Sequence, residues 1–163
     1  MPTYTIRRAT ADDADTIVAH RRAMFSAMRY HDEQALDAMC EAFRPWLIRM
    51  MHAGEYLTWF AISEDGSVAA GLGLWLMDWP PHMIGPGARR ANILNVYTSP
   101  EHRRQGLARR LMETSLEWCR AHSIRAVILH SSEEGRPLYQ SLGFRPTNEM
   151  RLVLEPRIDS ATD

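Results

Sequence analysis

The chain has 163 residues, 45% of them hydrophobic, and a formal net charge of −1. That length and composition fit one soluble domain with a sizeable core, and the balanced charge excludes recruitment of nucleic acid or anionic membrane by a global field. No apolar run approaches the roughly 20 residues that span a bilayer, and residues 1–15 lack the apolar stretch of a signal peptide, which points to a cytoplasmic protein.

Residues 4–8 alternate in polarity and predict a strand. Thr10 and Asp13 have capping-box spacing ahead of a helix over 11–28, with an apolar stripe of Ile17, Val18, Met24, Phe25 and Met28. A second helical stretch over 33–53 is interrupted by Pro45, which predicts a split or a kink. Residues 56–63 are strand-like, Asp65-Gly66 signals a hairpin, and 67–77 predicts the returning strand. The segment 78–90 holds three prolines and two glycines and reads as a loop long enough to be functional. Residues 91–98 predict another strand, stopped by Pro100. Leu107, Ala108, Leu111, Met112, Leu116 and Cys119 repeat at helical spacing over 105–122. The apolar run 126–130 predicts a short central strand covered on both faces. A last helix ends at Leu142 with Gly143 as its left-handed cap, 150–154 closes the sheet, and 156–163 forms a flexible tail. This order describes an α/β protein: one central mixed sheet flanked by helices on both faces, in a single domain over 1–155.

Cys40 and Cys119 have no metal or redox spacing and read as reduced, partly buried thiols. All 19 basic residues are arginine, which fits the codon bias of a GC-rich genome.

Residues 96–110 carry the chemistry. Arg103 and Arg104 precede Gly106 at a helix start, where the macrodipole disfavours cations. A bound anion offsets that clash, because unpartnered N–H groups and the dipole together accept phosphate. Gly106 lets a ligand approach the backbone, Ala108 keeps the first turn clear, and Arg109 and Arg110 extend the basic rim. The competing reading is a solvated basic helix start eased by Glu101. The stretch is not a P-loop, since no Gly-Lys-Ser/Thr follows, and it lacks the glycine pattern of a dinucleotide fingerprint.

A second element, SSEEGRPLYQSLGF at 131–144, follows the short apolar strand. Together the two stretches resemble the GNAT superfamily of N-acetyltransferases. Its phosphate loop, Arg/Gln-x-x-Gly-x-Gly/Ala, reads here Arg103-x-x-Gly106-x-Ala108 after Thr98-Ser99-Pro100. Its downstream signature matches at Leu138, Tyr139, Gly143 and Phe144, with Ser132 and Gly135 in place of the frequent Asn and Ala. The element order is similar over about residues 4–154. Pro137 fits best in the first turn of a helix starting near 134–136.

The resemblance implies transfer of an acetyl group from acetyl-CoA, a co-substrate used without metal, to a primary amine of a small molecule or protein by direct attack. It implies that the backbone of Val96, Tyr97 and Thr98 pairs with the pantetheine amides. The N–H groups of Gln105, Gly106, Leu107 and Ala108 would hold the pyrophosphate, with Arg103, Arg104 and Arg109 near the CoA phosphates. Ser132 stands where the family's Asn touches the pantetheine arm, and Tyr139 would protonate the departing thiolate as general acid. A phenol of pKa about 10 suits that task.

The amine must first lose a proton, since an alkyl ammonium has a pKa of about 10.4. Asn95 cannot act as that base; His130, His82, Asp78 and Glu101 are candidates that also read as surface or packing residues. In this family the acceptor meets the first two helices and the loops beside the sheet, here 24–32 and 78–89. Phe25, Met28, Tyr30, Trp75, Trp79 and Met83 are the apolar candidates, and His31, Asp32 and Glu33 the polar ones. Competing readings are a peptide N-terminal acetyltransferase and a non-catalytic acyl-CoA-binding module. Exposed strand edges would allow a homodimer; neither nucleic acid nor membrane is expected as a partner.

Overall fold

The strands expected at 4–8 and 56–63 form with those bounds in the computed structural model, which describes residues 2–84 and 86–154. The tail expected at 156–163 lies outside the described residues. The chain divides into two units, 1–130 and 131–163.

In the first unit, β1 (Tyr4–Arg8), β2 (Tyr56–Ser63), β3 (Val68–Asp78), β4 (Arg89–Thr98) and β5 (Val127–Leu129) lie side by side in that order. The first four pair antiparallel and β5 runs parallel to β4. The expected central position of the 126–130 strand is therefore corrected: β5 sits at the edge of the order among the described residues, and its three residues are only half-buried. An unbroken apolar run of that length cannot distinguish a central strand from an edge strand with one covered face.

The first helix begins as a tight turn at Ala11–Asp13 and continues as α1 (Ala14–Ala27). The Asp13 carboxylate accepts from the Thr10 N–H at 2.9 Å and from both terminal nitrogens of Arg7 at 2.9 and 2.8 Å, so the helix start is anchored to β1. Next, α2 (Glu33–His52) runs through Pro45 as one helix rather than two. Proline removes one backbone donor, but Phe43 and Leu47 on either side are buried in the core with Ile17, Tyr56 and Phe60. Tertiary packing of that face outweighs the local penalty.

Two faces of the sheet are covered differently. Tyr56, Thr58 and Phe60 of β2 point to α1 and α2, as do Gly71 and Gly73 of β3. The alternate residues Leu57, Trp59, Leu72, Leu74 and Ile93 point to α3 (Leu107–Ala121), whose Leu107, Leu111, Met112 and Cys119 are buried. Trp59 and Trp118 meet edge to face at 6.3 Å on that side. The regular ladder between β3 and β4 breaks once: Gly71 pairs with Tyr97 and Gly73 with Leu94, leaving Asn95 and Val96 opposite Leu72 alone. This is a β-bulge, and Asn95 adopts φ +55 within it. No described helix is long and apolar enough to cross a membrane.

The second unit contains α4 (Arg136–Ser141), with Pro137 in its first turn as expected, and Gly143 at φ +95 just past its end. The strand expected at 150–154 is absent. Met150 and Leu152 are 94% and 80% exposed, and no described residue pairs with the segment. Extended propensity alone does not make a strand; its N–H and C=O groups need a ladder partner.

Candidate active site

β4 carries an open flank. Its pairing with β5 runs from Ala91↔Val127 to Ile93↔Leu129 and stops. Beyond that point Tyr97 and Thr98 pair with β3, while no strand lies on the other side of Val96, Tyr97 and Thr98 among the described residues. A free strand edge accepts an extended partner as an added strand.

At Thr98 the chain leaves the sheet. The Ser99 N–H donates to the Ala69 carbonyl at 2.9 Å, Pro100–His102 makes one tight turn, and Arg103 Nε donates to the Thr98 carbonyl at 3.3 Å. Arg104 (φ +64) and Gly106 (φ +73) are left-handed. Residues of opposite φ in succession curl the backbone into the kind of concavity that holds anions. The expected helix start at 105 moves to Leu107, because left-handed Gly106 cannot lie inside a helix. The first intrahelical bond is Arg110 N–H to Gly106 carbonyl at 3.1 Å, and the Leu107 and Ala108 N–H groups precede it. A Cβ on Gly106 would meet nothing within 4 Å, so the glycine is demanded by its φ rather than by crowding.

Arg103, Arg104 and Gln105 are exposed, and no carboxylate pairs with either arginine among the described residues. Glu101, the alternative counter-charge, sits 3.9 Å from His102 instead. Arg109 lies 3.8 Å from Glu113, and Arg110 turns away to donate to the Tyr4 carbonyl at 3.0 Å.

At the bulge a polar cluster is buried beneath α1 and α2, and the sequence reading missed it. Arg21 Nη1 donates to Asn95 Oδ1 at 2.7 Å, and Asn95 Nδ2 donates to the Tyr56 hydroxyl at 2.7 Å. The Arg21 guanidinium lies 4.7 Å from the Phe43 ring centre and 5.0 Å from that of Phe25. Burial lowers its pKa and raises that of Tyr56. His20 packs 4.9 Å from Tyr97 and 5.7 Å from Phe60, ring centre to ring centre. Close approach explains both glycines of β3: a Cβ on Gly71 would lie 2.9 Å from His20 Nδ1, and one on Gly73 would overlap the Tyr56 hydroxyl. The Gly-Leu-Gly alternation at 71–73 was the available signal, since two glycines on one strand face imply bulky groups opposite.

In the second unit, Tyr139 is half-buried on α4, and burial raises its phenol pKa, so the side chain keeps its proton at neutral pH. Its ring sits 6.2 Å from that of Phe144. A Cβ on Gly135 would lie 2.9 Å from Tyr139 Cε2, which accounts for glycine where the family signature has alanine. Ser132 Oγ accepts from the Gly135 N–H at 3.1 Å in the turn that leads into this helix.

The other expected candidates are scattered. His130 is exposed at the end of β5, and His82 is exposed, its Nδ1 accepting from the Ile84 N–H at 3.3 Å. Exposed Asp78 is 3.9 Å from Arg89. Asp32 caps α2 by accepting from the Ala35 N–H at 2.9 Å, and Glu33 pairs with Arg22 at 2.6 Å. Phe25 and Tyr30 meet edge to face at 5.5 Å, Trp75 packs against Trp46, and Trp79 lies under the Arg90 guanidinium. Met28 and Met83 are exposed. Cys40 and Cys119 are both free thiols, and burial pushes Cys119 up to about 11.

The profile described as the acetyltransferase (GNAT) family matches residues 17–144. A crystal structure of a GCN5-related N-acetyltransferase from Ralstonia eutropha is 35% identical, covering 93% of this chain and 99% of that one with a TM-score of 0.87. A predicted acetyltransferase with acetyl-CoA from Clostridium acetobutylicum is 21% identical over 93% of this chain and 96% of its own, with a TM-score of 0.85, and shows the same fold. Human N-acetyltransferase 8 is 34% identical over 64 residues, which span 37% of this chain and 28% of that protein.

Proposed function

The chain belongs to the acetyltransferase (GNAT) family, and from that premise we propose that it transfers an acetyl group from acetyl-CoA to a primary amine, with Tyr139 as general acid. The observation that carries this reading is a continuous path: the open flank of β4 leads through left-handed Arg104 and Gly106 to the start of α3. Those residues fit the co-substrate. An extended pantetheine arm suits the free edge of Val96, Tyr97 and Thr98, and phosphates suit the N–H groups of Gln105, Gly106, Leu107 and Ala108. Arg103 and Arg104, exposed and without a carboxylate partner among the described residues, supply the counter-charge.

Acetyl-CoA supplies an activated thioester carbonyl. The protein's part is to hold that carbonyl at the bulge end of β4, to receive a proton from the amine, and to give one to the departing sulfur. Tyr139 keeps its phenol proton at neutral pH, as the last role requires.

A thermal-shift titration with acetyl-CoA, CoA and adenosine bisphosphate tests the first step. Each should raise the melting temperature, acetyl-CoA most, and Gly106→Val should abolish the shift while the fold survives. An amine-panel thiol-release assay follows, with peptide N-termini as one arm. Tyr139→Phe should then lose about 10²–10⁴-fold in turnover with acetyl-CoA affinity intact. A loss below about twofold rules out the general-acid role. Acetyl-CoA binding without thiol release from any amine would mark a non-catalytic acyl-CoA-binding module.

A further inference from the structure

A small cavity lies between α1 and the sheet, lined by Ile17, His20, Thr58, Phe60, Gly71 and Asn95 among others. It has room for about a single water molecule. Two polar atoms on its lining residues, His20 Nδ1 and Thr58 Oγ1, are buried without a hydrogen-bond partner. Buried polar groups are nearly always paired with protein or ordered water, so two orphans around a water-sized space call for a shared ligand. Glycine at 71 keeps the space in front of His20 Nδ1 clear.

We infer that one ordered water bridges His20 Nδ1 and Thr58 Oγ1, and that this water and His20 take up the proton the acceptor amine sheds before attack. The second half rests on the acetyltransferase reading; the water site does not. The place in the fold is what connects them. Asn95 lines the cavity and immediately precedes Val96, Tyr97 and Thr98. With phosphates at the start of α3, an arm lying back along β4 brings its acyl end to Asn95.

The chemistry of His20 agrees. Burial pushes its pKa down to about 4, so the ring is neutral at pH 7 with a lone pair to offer. Around it stand Tyr97 on β4 and Phe60 on β2, with Arg21 next to it on its own helix, while β3 presents Gly71. None of its described partners is a carboxylate. So weak a base passes a proton on rather than storing it. A primary ammonium has three N–H protons to account for. One goes to the water and His20 and then to solvent. The second leaves as the C–N bond forms and the C–S bond breaks: sulfur keeps the electron pair and takes the phenol proton of Tyr139, and this second proton restores the phenol. The third stays on the amide nitrogen.

Three readouts test this. A high-resolution crystal structure should show one water within about 3.2 Å of both atoms; a dry cavity overturns the proposal. His20→Asn should lower turnover at pH 7 by about 10²-fold with acetyl-CoA affinity unchanged. That deficit should shrink towards pH 10, where the amine deprotonates unaided. Thr58→Val, a near-isosteric change, should give a smaller deficit with the same pH dependence, and it serves if the His20 variant does not fold. A deficit independent of pH, or none, overturns the proton-accepting role. If the water is present but the wild-type protein releases no thiol from any amine, the acetyltransferase reading fails and the water site stands.

Discussion

The two faces of the sheet are built by different rules. Beneath α3 the packing is mostly apolar, and the buried Ser115 hydroxyl donates to the Met112 carbonyl at 2.8 Å. Beneath α1 and α2 lie a histidine, an arginine, an asparagine, a threonine and a tyrosine, and His20 Nδ1, Arg21 Nε and Thr58 Oγ1 have no partner. Satisfied apolar packing fixes a fold; incompletely satisfied polar groups held in place by that fold are where chemistry is done. On the proposed reading, the α3 face is the scaffold and the α1/α2 face is the working surface.

Substitutions should separate the two. Leu111 is fully buried on the inner side of α3, and Leu111→Ala should cost about 2–5 kcal/mol in chemical denaturation with turnover per folded molecule unchanged. A matching fall in turnover would erase the distinction between the faces. Acidification should strike the other face first. A histidine whose pKa is lowered by folding binds its proton more readily in the unfolded chain. Stability should therefore fall as pH drops from about 6.5 to about 4, by on the order of 3 kcal/mol for His20. Denaturation of His20→Asn over the same range checks it, since that dependence should flatten. Smallest in stability is Gly73→Ala, whose Cβ would push on the Tyr56 hydroxyl and cost about 1–3 kcal/mol. Its larger effect should be on turnover, because Asn95 and Arg21 lean on that hydroxyl. Intact kinetics in that variant would show the Arg21–Asn95–Tyr56 chain to be structural only.

Legibility followed the same division. Periodicity located β1, α1 and α3, because each buries one face at a fixed spacing, whereas β2, buried on both faces, was legible from its strand-like composition. The phosphate-loop candidates at 103–108 were legible because glycine and arginine at a helix start are out of place without a ligand. Pro45 does not split its helix, since the local rule is overridden by burial of Phe43 and Leu47. Residues 126–130 and 150–154 misled because strand propensity carries no information about neighbours. His20 was passed over entirely: one histidine on a helical stripe looks like packing until the glycines facing it are placed on the adjacent strand.

The extra residue in β4 has one more effect. Up to Leu94 the strand keeps a two-residue beat, with odd numbers towards α3; after the slip at 95–96 the beat is inverted, and Asn95 and Tyr97 turn to α1 instead. Deleting Val96 would close the bulge with Tyr97 still opposite Gly71, and would rotate Asn95 alone into the apolar layer beneath α3, leaving composition almost untouched. In this strand, length is itself a specification.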